Sequence, residues 1–399
     1  MKEQPPQFSS NKHHSPNKHS PNEVRTIAAL VIIAAFLPTV LMMAPAIASQ
    51  LAAEFQFGPA QIGRVISSEL FGMSLATVPA WYWLHRYPKP TSARICIVLF
   101  ASFNLISGFA QTELLFIVFR FLSGLAGGSL MIICLSAAST TRNPDRVYSF
   151  WVLGQLIVGA IGLAVLPSLF SSYGIKAAYF SLAVLMLACS PLCAFFTASN
   201  QTKSATKTLK INHMAIVGLV AVLLFYVSLN GVWTFAGMFA ERLNISSTKS
   251  GDIFSVASIF GIAGALCAAW VGHRWGRFLP LLAGFSMMIL GTYLLQQNSE
   301  YIFSNATFLF KFSWTLALPF ILATLARIDH QGQLMNSTNL VIGGGLAIGP
   351  AIFGHLLESG HSLDHLIIYA CITAFVSFIL LGFILFQFNT PSVQGVHNE

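Results

Sequence analysis

Long apolar stretches separated by short polar segments make up most of this chain. A helix needs about 20 apolar residues to cross roughly 30 Å of hydrocarbon. Runs of that order lie near 26–49, 60–83, 95–111, 114–140, 148–170, 176–197, 214–238, 251–271, 278–297, 304–326, 335–357 and 365–388. The pattern predicts an all-α integral membrane protein with twelve transmembrane helices. Residues 1–25 are rich in Pro, Asn, Ser, His and Lys and hold no apolar segment. They read as a disordered tail and not as a cleaved signal peptide. The polar stretch ASNQTKSATKTLKINH, 198–213, falls at the midpoint as a linker. It separates an N-terminal six-helix bundle, 26–197, from a C-terminal one, 214–388, which is followed by a short tail, 389–399.

The two bundles repeat each other. Gly63, Phe71-Gly72 and His85-Arg86 of the second run correspond to Gly251, Phe260-Gly261 and His273-Arg274 of the eighth, at separations of 188, 189 and 188. Phe119-Arg120-Phe121 of the fourth run matches Phe310-Lys311-Phe312 of the tenth, at a separation of 191. A near-constant offset across separate helices marks an internal repeat with a one-residue gap.

Between the eighth and ninth runs stands His273-Arg274-Trp275-Gly276-Arg277. This segment is similar to the loop signature G-x-x-x-D-R-x-G-R/K of the major facilitator superfamily, with histidine in the aspartate place. His85-Arg86-Tyr87-Pro88-Lys89 is a more degenerate copy, and Arg120-x-x-x-Gly124-x-x-x-Gly128 resembles the fourth-helix motif which that family associates with proton coupling. The resemblance implies two parallel six-helix repeats with a solute site between them near the midplane. It also implies that the first, fourth, seventh and tenth helices line the cavity, and that the two loop motifs act in conformational change. The antiporter signature of the fifth helix is only suggested, because Gly154, Gly159 and Gly162 lead to Pro167 without a Gly-Pro pair; Gly349-Pro350 stands in the eleventh run instead.

Composition and charge narrow the picture. With 55% hydrophobic and 9% charged residues and a mean hydropathy of +0.71, an ordinary cytosolic protein is excluded. Of the 21 Lys and Arg, fifteen fall on the side of the termini and four on the other. That bias places both termini in the cytoplasm of a multi-pass protein of the cytoplasmic (inner) membrane. The net charge of +8 is scattered over short loops, so no nucleic-acid partner is expected. All six cysteines lie in apolar runs, which argues against a disulfide framework or a zinc site. The histidines of the tail and the group Glu358, His361, Asp364 and His365 read as solvated positions.

Three ionisable residues other than histidine sit well inside the runs: Glu69, Arg120 and Lys311. A charge at bilayer depth costs about 2.5–3.5 kcal/mol even on a lenient scale and marks function by default. Arg120 and Lys311 could bind an anionic group of a solute, arginine as a bidentate fork and lysine as a point charge. Alternatively, polar neighbours such as Ser123 hold Arg120, and Lys311 snorkels to the outer surface. Glu69 facing Arg120 could couple transport to protons, since burial and a neighbouring cation act on a carboxyl in opposite directions. Tyr226, Asn230 and Trp233, at i, i+4 and i+7, form a polar-aromatic stripe, and Trp314 shares a face with Lys311. The same aromatics could equally be packing residues.

No P-loop, H-E-x-x-H or dinucleotide motif is present, so an enzyme, a cofactor and an ATP-driven pump are not expected. The reading is a secondary active transporter of a small organic solute, anionic or carboxylate-bearing. It would work in the lipid bilayer by alternating access, with protons as coupling ion, as a monomer. A proton-driven efflux antiporter for drugs or sugars and a transport-inactive receptor or scaffold are the alternatives.

Overall fold

The protein is described here from a computed structural model, over residues 21–84, 86–196, 213–272, 274–328 and 333–389. Residues 1–20 and 390–399, most of the linker, and His85 and His273 of the loop motifs lie outside the described residues, as do the side chains of Asn336, Ser337 and Asn339, whereas residues 21–25, read as tail, begin the first helix. The described residues form helices α1 (Pro21–Phe36), α2 (Thr39–Met42), α3 (Ala44–Phe55), α4 (Pro59–Leu75), α5 (Thr77–Trp83), α6 (Lys89–Ser107), α7 (Glu113–Ala138) and α8 (Pro144–Tyr173). They continue as α9 (Lys176–Ala188), a 3-10 turn (Ser190–Phe195), α10 (His213–Thr234), α11 (Ala236–Arg242), α12 (Ser247–Val271), α13 (Phe278–Leu294), α14 (Glu300–Ile328), α15 (Gln333–Glu358) and α16 (Leu363–Asn389). No strand occurs among the described residues. Among the described residues eight segments are long and apolar enough to cross a membrane, and Lys176–Ala188 and Phe278–Leu294 are shorter apolar helices.

Four expected single helices are broken, the first, second, sixth and seventh, and proline explains the first two. A proline has no N–H, so the carbonyl four residues earlier loses its helical donor. Pro38 and Pro45 divide the first run into α1, α2 and α3, and Pro79 accounts for the break between α4 and α5. Three carbonyls orphaned in this way are taken up by side chains of other helices. Ala34 O, four before Pro38, accepts from Gln155 Nε2 at 3.5 Å. Leu41 O, four before Pro45, accepts from Trp233 Nε1 at 3.0 Å. Leu346 O, four before Pro350, accepts from Asn230 Nδ2 at 2.5 Å. Where no water reaches, a freed backbone group has to be satisfied by a neighbour, and here one polar side chain answers each.

Helices α1 to α9 pack chiefly among themselves, α10 to α16 do likewise, and α4 against α15 and α8 against α12 form the main seams between the groups. The α4–α15 seam is close because glycines face carbonyls. A Cβ on Gly63 would collide with Pro350 O, and one on Gly354 with Pro59 O. Ser74 Oγ donates to Leu340 O at 3.1 Å, and Ala60 N donates to Glu358 Oε2 at 3.0 Å. The α4–α7 contact is built in the same way, with Gly72 against Phe121 O, Gly124 against Glu69 O and Gly128 against Met73 O. Small residues that let helix backbones approach are the usual basis of close packing in a bilayer.

Candidate functional site

The close α4–α7 approach sets the first cluster. With Gly124 seated on the Glu69 carbonyl, the side chain of Glu69 lies one turn from Arg120, and the two form an ion pair at 3.2 Å. Both are buried. The other two guanidinium nitrogens make one bond each, Nε with Ser107 Oγ at 3.1 Å and Nη2 with Asn104 Oδ1 at 3.0 Å. Asn104 in turn donates to Ser123 Oγ at 2.9 Å. The face of the guanidinium lies 4.2 Å from the centre of the Tyr179 ring. Arg120 is thus enclosed by α4, α6, α7 and α9. Asn104, Ser107 and Tyr179 were not anticipated, although two polar residues three apart inside the apolar run of α6 were a usable signal.

Lys311 stands in a different environment. It is wholly buried, and its Nζ makes no hydrogen bond within the protein. The ammonium lies 3.6 Å from the centre of the Trp233 ring and 4.1 Å from that of Trp314. The two indoles meet edge to face at 6.5 Å, and Phe254 packs on Trp233 at 5.6 Å. Trp314 does share a face with Lys311, as the spacing suggests, whereas the snorkelling alternative is not what the lysine adopts. Gly261 admits its stem, for a Cβ there would sit 3.3 Å from Lys311 Cγ. Thr315, one turn on, ties α14 to α12 through its bond to Gly261 O at 2.6 Å. A cation held only by ring faces retains its full capacity to donate hydrogen bonds.

Arg120 and Lys311 share none of these partners. Arg120 spends its donors inside the first group of helices, while the rings around Lys311 come from α10 and α14. The stripe of Tyr226, Asn230 and Trp233 is also divided. Tyr226 is buried against Phe225, with its Cβ beside Gly345 of α15. Asn230 and Trp233 give their N–H groups to the carbonyls orphaned by Pro350 and Pro45. The signal for those bonds lay in the prolines, in other helices, and not in α10 itself. Asn230 Oδ1, Thr234 Oγ1 and Ser67 Oγ are buried with no hydrogen bond within the protein.

In the loop motifs, each arginine rests on an aromatic ring four residues earlier. Arg86 lies 3.8 Å from the Tyr82 ring and donates to its hydroxyl, and Arg274 lies 5.6 Å from the Trp270 ring. Gly276 has a φ of +68°, where a side chain would be strained. Arg277 precedes α13 as its N-cap. No group of three or more His, Cys, Asp or Glu poised for a metal occurs among the described residues. Asp364 pairs with Arg242 at 2.7 Å, and His361 and His365 bond within their own turn.

These features define an all-α membrane protein in which buried Arg120 is held by polar partners and buried Lys311 is not. The sequence profile described as Major Facilitator Superfamily matches residues 28–350, and the chain belongs to that superfamily. A gentisate transporter of Corynebacterium glutamicum is 22% identical over 274 residues, which are 61% of this chain and 61% of that protein. The multidrug resistance protein MdtG of Salmonella choleraesuis is 27% identical over 210 residues, 48% of this chain and 50% of MdtG. The chain thus matches between half and about three fifths of the length of these curated relatives. Among solved structures, the nucleoside transporter NupG superposes with a TM-score of 0.69 at 12% identity, covering 93% of this chain and all of that one. A bacterial homologue of the human lysosomal transporter Spinster gives 0.70 at 12% identity, covering 94% of this chain and 98% of that one. At such identities the likeness is one of fold.

Proposed function

We propose that the protein is a secondary active transporter that carries a small organic anion, carboxylate-bearing and partly aromatic, by alternating access. The observation that carries this reading is Lys311, an ammonium buried between Trp233 and Trp314 with every hydrogen-bond donor free. A carboxylate arriving there supplies the missing acceptor, and the indole edges suit a planar ring. The similarity to a gentisate transporter, whose namesake solute is an aromatic carboxylate, supports the same class.

In this reading α1–α3, α4–α5, α9 with its 3-10 turn, and α10–α11 each count as one membrane pass. The chain then crosses twelve times as two six-helix bundles, 26–197 and 214–388, in the inner membrane with both termini cytoplasmic. Glu69 and Arg120 serve proton coupling as a pair, and Arg120 is relieved of solute binding because each of its nitrogens is bonded inside the first group of helices. Arg86, Arg274, Gly276 and Arg277 belong to the hinge loops. The protein acts as a monomer.

The test is counterflow in proteoliposomes with labelled hydroxybenzoates, compared with neutral sugars and lipophilic cations. Saturable exchange of the aromatic anions, lost in Lys311→Gln, is expected. Exchange of the cations with Lys311→Gln unaffected would overturn the anion site and favour the second reading, proton-driven drug efflux, which the similarity to MdtG motivates.

A further inference from the structure

A groove of about 420 Å³ runs between α1 and α8, walled by Val24, Ile27, Ala28, Phe150, Leu153 and Ile157. Its polar residues are Asn143 and Arg146, both at one end. Asn143 is committed as the N-cap of α8, its side chain accepting from Arg146 N at 3.2 Å. Arg146 is exposed, takes no part in an ion pair among the described residues, and has its guanidinium 5.3 Å from the centre of the Phe150 ring. Arg142 directly precedes Asn143 at the groove mouth. Arg142 is paired with Glu23 at 3.5 Å, which leaves Arg146 as the unpaired charge of the lining.

We infer that an anionic membrane phospholipid seats in this groove, its phosphate on Arg146 and one acyl chain along the wall of α1 and α8. Length supports that occupant. From Arg146 to Ile157 the helix rises about 16 Å at 1.5 Å per residue, close to half of a hydrocarbon core of roughly 30 Å. The groove therefore covers one leaflet, with Arg146 of its lining at headgroup depth. Basic pockets between transmembrane helices at that depth recognise anionic headgroups. The guanidinium, stacked on Phe150, keeps its fork of donors for phosphate oxygens. The chain's own first twenty residues are the poorer occupant, because they carry Lys2, Lys12 and Lys18 against the single acid Glu3.

Native mass spectrometry of the full chain in detergent, titrated with phosphatidylglycerol and phosphatidylcholine of the same acyl length, tests the assignment. One phosphatidylglycerol is expected to bind about fivefold tighter than phosphatidylcholine, the order expected for one arginine near an anionic headgroup. Arg146→Ala should erase that preference and leave the weaker binding. Ala28→Phe, at an exposed position of the wall, should weaken both lipids. Equal affinities in the native chain, or a preference that survives Arg146→Ala, would overturn the proposal. So would displacement of phosphatidylglycerol by millimolar inorganic phosphate, since the acyl chain would then contribute nothing.

Discussion

Replacing Lys311 by methionine is expected to make the protein more stable and less able to bind solute. The lysine is wholly buried, and its ammonium has no hydrogen-bond acceptor. An unsatisfied buried polar group costs about 1–3 kcal/mol, and a charged one more. Against this stands the attraction of the two indoles, about 2 kcal/mol or somewhat more for a desolvated cation. Methionine keeps the length of the stem and brings sulfur to the same rings, a contact of about 0.3–1.5 kcal/mol. The desolvation penalty disappears and the ring contacts are partly replaced, so the balance favours the variant by about 1 kcal/mol. The gain is that of a residue held for function at the expense of stability. The assay is thermal unfolding in detergent alongside equilibrium binding of a labelled aromatic carboxylate. A midpoint that rises while binding is lost is the expected pair of results. A midpoint that falls by several degrees would show that Lys311 is part of the packing. Unchanged binding would show that the solute never meets it.

Glu69→Gln should cost about 3 kcal/mol, because the guanidinium keeps its charge when its carboxylate is removed. Adding Arg120→Gln should restore part of this, with a coupling of about 1–3 kcal/mol in an unfolding cycle, and strict additivity would refute the pairing. Pro350→Ala returns an N–H to compete for Leu346 O. Hydrogen exchange at residue 350 should then be slow, and Asn230→Ala should destabilise less in that background than in the native one; equal effects would refute the shared carbonyl. Gly63→Val, placed against the Pro350 carbonyl, should cost about 1–3 kcal/mol as overpacking, and a neutral result would show that the α4–α15 seam opens readily.

The sequence made the helices legible because twenty apolar residues in a row leave little choice in a bilayer. It also made the pairing of Glu69 with Arg120 legible, since two opposite charges at similar depth in the second and fourth predicted helices have few better partners. That Arg120 and Lys311 share no partner was not legible. Depth along the helix can be counted from residue numbers, but the side toward which each residue turns depends on Gly124 and Gly72 drawing α4 onto α7. Trp233 and Asn230 show the same limit. Each looked like a wall of a cavity, and each is bonded to a carbonyl freed by a proline in another helix. The repeat was more informative than it first looked. Tyr82 and Trp270 hold equivalent places under Arg86 and Arg274, so the two loops share an aromatic support as well as their basic residues.

The bond from Trp233 to Leu41 crosses from one group of helices to the other. It exists because Pro45 cannot donate, and the ring that makes it is also a wall of the Lys311 box. It is in effect a latch whose strength is that of one hydrogen bond, about 0.5–1.5 kcal/mol net. A solute that binds even at millimolar concentration brings about 4 kcal/mol. A solute that binds the released state more tightly by more than the latch energy would open it, and one that binds both states equally would leave it closed.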